Sequence, residues 1–290
     1  MMPLPSTQLE LIEVDESSWE RILPAPPHPG TQAGTDRHGH GAADTYRAGG
    51  WGWVHCPEMA TFRFGMQAGP VWVSQERHLP EPVESFFWRS VAPFVLQARG
   101  IEGLHASAVL TAHGALAFCA ISGMGKSSFC CGLMQRGYPM WADDAFMFAR
   151  FGEKLLTRPL PAQVRLFPEA AESLKTCRPA QPPVQATRIM PETPQAILAV
   201  CLLQRVESLP GQSPLQIERL PPVHAFNRIL EHAYCFSMSS RDEKERFTNA
   251  YLDLVAAVPV YQVRYRSGWE LLPGVLDGVE FEIIPTGDNP

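Results

Sequence analysis

The sequence predicts an α/β protein in which a mixed sheet carries a phosphate-binding loop, with a small β-rich unit ahead of it. Three observations predict this. Ala115 to Ile121 is a continuous apolar run of the kind a buried strand needs, and it opens directly onto Ser122-Gly123-Met124-Gly125-Lys126-Ser127. A helix is expected from Lys126, with Phe129, Cys130, Leu133 and Met134 at helical spacing, ending at Gly137, where glycine can take the left-handed cap. Met140-Trp141-Ala142-Asp143-Asp144 then closes a second short apolar stretch with two carboxylates.

The chemistry of such a loop follows from its backbone. Unpaired amides and the positive end of a helix dipole converge at the helix start, and Lys126 adds a full charge there. Ser122, Gly123, Met124, Gly125, Lys126, Ser127 and Ser128 are therefore the expected cradle of a nucleotide such as ATP. Lys126 would reach the β- and γ-phosphates, and the Ser127 hydroxyl would join the shell of a magnesium ion. The strict pattern G-x-x-x-x-G-K-[ST] asks for glycine at position 120, where this chain has Ala120. The alternative reading is a tight turn with a solvated lysine.

The order Leu104-His105-Ala106-Ser107-Ala108-Val109, the Ser122–Ser127 loop, Arg136-Gly137-Tyr138 and Ala142-Asp143-Asp144 resembles the C-terminal catalytic domain of the HPr serine kinase/phosphorylases. The resemblance continues more weakly through Arg158-Pro159-Leu160-Pro161, Arg165-Leu166-Phe167 and Val258-Pro259-Val260-Tyr261, and it looks closest to shorter HPr-kinase-like proteins, some of which phosphorylate ribosomally made peptides such as lasso-peptide precursors. It implies a sheet of the HPr kinase and phosphoenolpyruvate carboxykinase type and a kinase using ATP and Mg2+ on a serine-type hydroxyl of a small protein or peptide. It also implies Asp143 as the base for the acceptor, Asp144 with Ser127 as metal ligands, and His105 near the transferred phosphate. The Arg-Gly-Arg-Asn-type stretch associated with dephosphorylation is absent from residues 178 to 203.

Composition bounds the rest. With 290 residues and 45% hydrophobic content, the chain can bury a sizeable core. A net charge of −6 gives no reason to expect a nucleic-acid partner. Seven cysteines without C-x-x-C pairs read as reduced core thiols in a cytoplasm. No apolar run approaches the roughly 18 residues of a membrane span, and the acidic start lacks the pattern of an export signal, so neither a membrane nor export is expected. The sequence leaves oligomeric state open.

Along the chain, residues 1–80 are expected to form the β-rich region and residues 81–290 the catalytic domain. Leu9 to Val14 reads as a strand, and Pro24 to Gly50 as a Pro/Gly-rich loop whose His28, His38 and His40 are surface histidines rather than metal ligands. Trp51 to Glu76 alternates as two or three antiparallel strands, with Trp51, Trp53 and Trp72 assigned to packing. Glu84 to Arg99 has an amphipathic helical stripe, kinked or restarted at Pro93. Ala145–Arg150 and Lys154–Thr157 read as a hairpin, Gln163–Phe167 as a strand, Pro168–Leu174 as a short helix and Cys177–Gln195 as a proline-rich loop, either a lid or disordered. Ala196–Leu203 has the apolar run of a central strand, Pro221–Ala233 begins as a helix, Ser240 and Glu243 form a capping box for a helix to about Ala257, Val258–Tyr265 is a last strand, and Trp269–Pro290 is a peripheral helix and tail. Arg165 and Arg205 are secondary candidates for clamping phosphate or an acceptor carboxylate.

Two rival functions share the same loop. One is a nucleotide-binding module without catalysis. The other is a small-molecule kinase or carboxykinase-like enzyme with a compact cationic pocket.

Overall fold

A computed structural model describes residues 9–14, 34–35, 43–75, 82–161, 193–236, 238 and 240–285. They group into two compact units, the first comprising Met1–Gly103, Leu160–Ala162 and Ala233–Asn249, the second Leu104–Pro159, Gln163–His232 and Ala250–Pro290.

The first unit is built on a six-stranded sheet of β1 (Leu11–Glu13), β2 (Gly34–Thr35), β3 (Asp44–Ala48), β4 (Trp51–Cys56), β5 (Ala60–Gly65) and β6 (Val71–Gln75), in the order β1-β6-β5-β4-β3-β2. Alternation of apolar side chains puts Phe62 and Phe64 on the buried face, and Trp53 is buried as well. The tail of the expected Pro/Gly-rich loop is thus β3, whose Thr45 and Tyr46 lie opposite Val54 and Trp53. Trp51 and Trp72 pair at 5.7 Å between ring centres, in keeping with a packing role.

Two short helices follow, α1 (Val83–Phe86) and α2 (Ala92–Ala98), joined by one wider π-type turn over Phe87–Val91. The cause is Pro93, which has no N–H to return to Arg89 and whose ring crowds that carbonyl, so the preceding turn opens. The apolar stripe still reaches the sheet: the Phe86 and Phe87 rings lie 6.0 and 5.9 Å from Phe62. The short strand β7 (Glu102–Leu104) comes where the chain passes from one unit to the next.

The second unit holds β8 (Ala106–Thr111), β9 (Gly114–Cys119), α3 (Lys126–Met134), β10 (Met140–Ala142), β11 (Phe146–Phe151), β12 (Lys154–Arg158), β13 (Gln195–Val206), β14 (Leu215–Arg219), α4 (Pro222–Leu230), the C-terminal part of α5 (Arg241–Ala257), β15 (Val260–Arg266) and α6 (Leu272–Ile283). Its sheet is mixed. Strands run in the order β10-β8-β9-β13-β12-β11, and β13 also pairs with β15, which pairs with β14. The 12-residue β13 makes this branching possible, holding β12 along its first residues and β15 from Val200 onward while β9 runs parallel on the other side. β9, β13 and β15 are mutually parallel; β13 and β15 end together at Val206 and Arg266, while β9 ends earlier at Cys119, opposite Leu202, so the two longer strands run on past the start of the turn that follows β9.

α6 was expected at the periphery, but Leu272, Val275, Leu276, Val279 and Ile283 are buried in one cluster with Phe118, Phe129 and Leu133. Gly132 on α3 allows this, because a β-carbon there would overlap Leu276. β14 was not expected, since Leu215-Gln216-Ile217-Glu218-Arg219 buries little and gains its order by pairing with β15. No helix among the described residues is long and apolar enough to cross a membrane. The expected strand at 163–167, the helix at 168–174, the proline-rich loop to residue 192, and Arg165, His28, His38 and His40 lie outside the described residues.

Candidate functional site

The site is built at the carboxyl end of β9. After Cys119 the chain turns through Ile121–Gly125, with Met124 N–H donating to the Ile121 carbonyl, and enters α3 at Lys126. Gly123 and Gly125 have φ of 79° and 88°, which non-glycine residues adopt at a cost. At Gly125 space forbids a side chain as well, since a β-carbon would lie 2.8 Å from the Tyr265 hydroxyl. Ala120 has no such need: it is buried in the core cluster and its φ is not positive, so alanine is acceptable where the strict pattern wants glycine.

Two neighbours pin the turn from the strand ends. The Tyr265 hydroxyl donates to the Met124 carbonyl at 2.8 Å, and Arg205 donates to the Gly123 carbonyl at 3.2 Å. Arg205 and Tyr265 are register partners on β13 and β15, so one sheet position supplies both donors. Because a trans peptide is planar, holding the Met124 carbonyl toward Tyr265 turns the Gly125 N–H the opposite way. The first amides of α3 have no acceptor within their helix. The α3 end also follows the sequence: Gly137 takes φ 100°, and the Gly137 and Tyr138 N–H groups close on Met134 and Leu133.

Lys126 is buried, and its Nζ lies 3.0 Å from His105 Nε2 and 3.0 Å from the Ala120 carbonyl. An ammonium can only donate, so Nε2 is the acceptor and the imidazole carries its proton on Nδ1. Burial lowers the Lys126 pKa, against the opposing pull of the Asp144 and Asp143 carboxylates. His105 itself lies at a bend between β7 and β8 rather than inside a strand, with its N–H held by the His232 carbonyl at 2.7 Å.

β10 ends at Ala142 and the chain then doubles back, Ala145 N–H meeting the Asp143 carbonyl at 2.8 Å around Asp144, whose φ of 61° is uncommon for a residue with a side chain. This turn lets both aspartates act on the Lys126 side, as their electrostatic pull on that amine shows. Asp143 is buried and its Oδ1 accepts from Ser107 at 3.1 Å and from Ser127 at 3.4 Å. Lys126, His105, Ser127 and Asp143 are therefore brought together, while Ser122, Gly123, Met124 and Ser128 belong to the turn and the first helical turn around them.

Sequence reasoning missed three participants. Ser107 is one. The others are Tyr265 and Trp269, which with Gly125, Ser128, Arg205 and Arg266 line a hollow of about 300 Å³ beside the turn. Ser107 stands in the strand antiparallel to β9, two residues from His105, and the Arg-Tyr-Arg-Ser-Gly-Trp run spans the end of β15, a strand parallel to β9. Both signals become readable only once those pairings are known.

The residues suit magnesium. Ser127 and Asp143 offer adjacent hard oxygen donors, and magnesium asks for one or two such groups while phosphate oxygens and water complete its shell. Among the described residues no three His, Cys, Asp or Glu side chains converge as a larger metal cage.

Compared with known proteins, no family model matches this chain and no curated protein does. Among solved structures it is similar to the HPr(Ser) kinase/phosphatase from Coxiella burnetii at 10% identity and a TM-score of 0.32, over 63% of this chain and 99% of that one. So distant a likeness carries no argument about chemistry, and the reading of the site rests on its own residues.

Proposed function

We propose that this protein is an ATP- and magnesium-dependent kinase that transfers the γ-phosphate to a serine-type hydroxyl of a small protein or peptide. The observation that supports it best is the convergence of Lys126, His105, Ser127 and Asp143 at the foot of a pinned glycine turn that opens a helix. Nucleotide phosphates would be held by the turn's amides and by Lys126, which exchanges its contacts with His105 and Ala120 for phosphate oxygens. The purine and ribose would lie in the hollow between Gly125 and Trp269.

In transfer, the acceptor oxygen bonds to the γ-phosphorus as the bond to the β,γ-bridging oxygen breaks; ADP leaves, and a carboxylate takes the hydroxyl proton. Magnesium, when bound, neutralises charge on the β- and γ-oxygens. The sequence reading assigned the acceptor to Asp143 and the metal to Asp144 with Ser127. The contact between Ser127 and Asp143 favours the exchange of those roles, with Asp143 beside Ser127 on the metal and Asp144 serving the hydroxyl. In either division, Ser107 fixes the Asp143 carboxylate in place.

The test is magnesium-dependent transfer from labelled ATP to peptides presenting a free serine, and to HPr, by wild type, Lys126→Ala, Asp143→Asn and Asp144→Asn. Each substitution is expected to lower transfer by at least about a hundredfold, the loss typical of a group acting on the transferred phosphoryl. Only the variant of the metal-side aspartate is expected to show a raised magnesium requirement. ATP binding by wild type with no transfer to any acceptor would overturn the kinase reading in favour of a nucleotide-binding module.

A further inference from the structure

A second site stands out in the first unit. At the end of its sheet is an open cleft of about 820 Å³, lined by Arg47, Arg99, Arg246 and Glu243 with the β5–β6 turn and Gly50. Arg47 comes from β3, Arg99 from the end of α2 and Arg246 from α5, so separate elements carry a guanidinium to one surface. Three guanidiniums line the cleft with the Glu243 carboxylate, and the buried Glu102 acts electrostatically on Arg246, which still leaves the cleft net positive in a protein whose net charge is −6.

The partners of these arginines define what the cleft would take. Arg47 is paired with Glu243, so the cleft already receives one carboxylate from its own chain. Arg99 donates to the carbonyls of Gly65 and Gly69, at 2.9 Å for the latter; these neutral acceptors fix its position and leave its charge uncompensated. Arg246 is exposed and lies over Gly100, with the buried Glu102 carboxyl in electrostatic reach on its protein side. The start of α5 is closed by its own capping box, Glu243 N–H on the Ser240 hydroxyl and Ser240 N–H on the Glu243 carboxylate. A compact phosphate group would therefore lack the amide cradle that binds one well. Side chains spread over an open cleft instead match carboxylates spread along a chain, and Met66, Ala68 and Ala98 add apolar lining.

We infer that this cleft is a binding site for an acidic peptide segment, in which Arg246 and Arg99 receive aspartate or glutamate side chains. The inference is independent of the phosphoryl-transfer reading.

The experiment uses the full chain and a fluorescein-labelled peptide of alternating glycine and glutamate, with its glutamine counterpart, followed by fluorescence anisotropy. The glutamate peptide is expected to bind at least about tenfold more tightly than the glutamine one, and to weaken about tenfold from 50 to 300 mM NaCl. Arg246→Gln should weaken it about tenfold while Arg246→Lys recovers part of the loss. Lys126→Ala should bind the peptide like wild type, which separates this site from the nucleotide site. Equal binding of the two peptides, an unchanged Arg246→Gln, or displacement by inorganic phosphate at micromolar concentration would overturn the inference.

Discussion

The conformation of the turn depends on individual atoms. Tyr265 holds the Met124 carbonyl by one hydroxyl bond, and that bond sets which way the next amide faces. Tyr265→Phe keeps the ring that packs edge-on to Phe129 at 4.9 Å and removes only the hydroxyl. The expected outcome is a fivefold or so rise in the ATP dissociation constant, the equivalent of about 1 kcal/mol for one neutral hydrogen bond, with little change in melting temperature. Unchanged affinity in a calorimetric titration would mean the turn does not need its pin. At this scale the sequence marked Gly125, Lys126 and the two aspartates, which the fold brings to one turn. It was silent about Ser107 and Tyr265, because a hydroxyl's partner is set by strand pairing and not by spacing.

Among elements, α5 shows local rules at work and α1–α2 shows their limit. Ser240 and Glu243 close the start of α5 reciprocally, as their three-residue spacing predicts. Ser240→Ala should lower stability to urea by about 1 kcal/mol, and Ser240→Asp should restore most of it, since aspartate caps as well as serine. No loss in the alanine variant would show that Arg47 holds Glu243 without the cap. The proline in the preceding helical stripe announced a disturbance, yet propensity alone could not say that the chain would answer with a wider turn instead of a break. α6 was misjudged for a related reason: its apolar face was visible, but the helix it packs on, α3, with Gly132 making room for Leu276, lies well over a hundred residues earlier.

At the scale of the whole chain, stability is coupled to pH through Glu102. Its side chain is buried, and desolvation pushes its pKa from 4.5 up to about 7, against the opposing pull of Gln97 and Arg246. Below both values the carboxyl is protonated whether folded or not, and the full contribution to stability is present. As pH rises through the window from 4.5 to about 7 the unfolded chain releases a proton that the folded chain retains, so stability falls. The fall is at most about 3.5 kcal/mol at one pKa unit per 1.4 kcal/mol. Glu102→Gln should be the more stable protein at pH 8 and should flatten the difference between pH 5 and pH 8 in denaturant titrations; parallel profiles for the two proteins would remove Glu102 from the account. The mixed sheet itself was legible as a class, because apolar runs and glycine turns specify strands. Its branching at β13 was not, since one run of residues contains no record of serving three partners.

Ala120 has an entropic consequence. A glycine in its place would let the root of the turn sample many backbone states in the absence of nucleotide, each of which binding would have to remove. Alanine with its methyl in the core cluster restricts those states beforehand. Together with the donors from Arg205 and Tyr265, it makes the turn a pre-organised receptor, so that more of the attraction between phosphate and backbone is available as affinity.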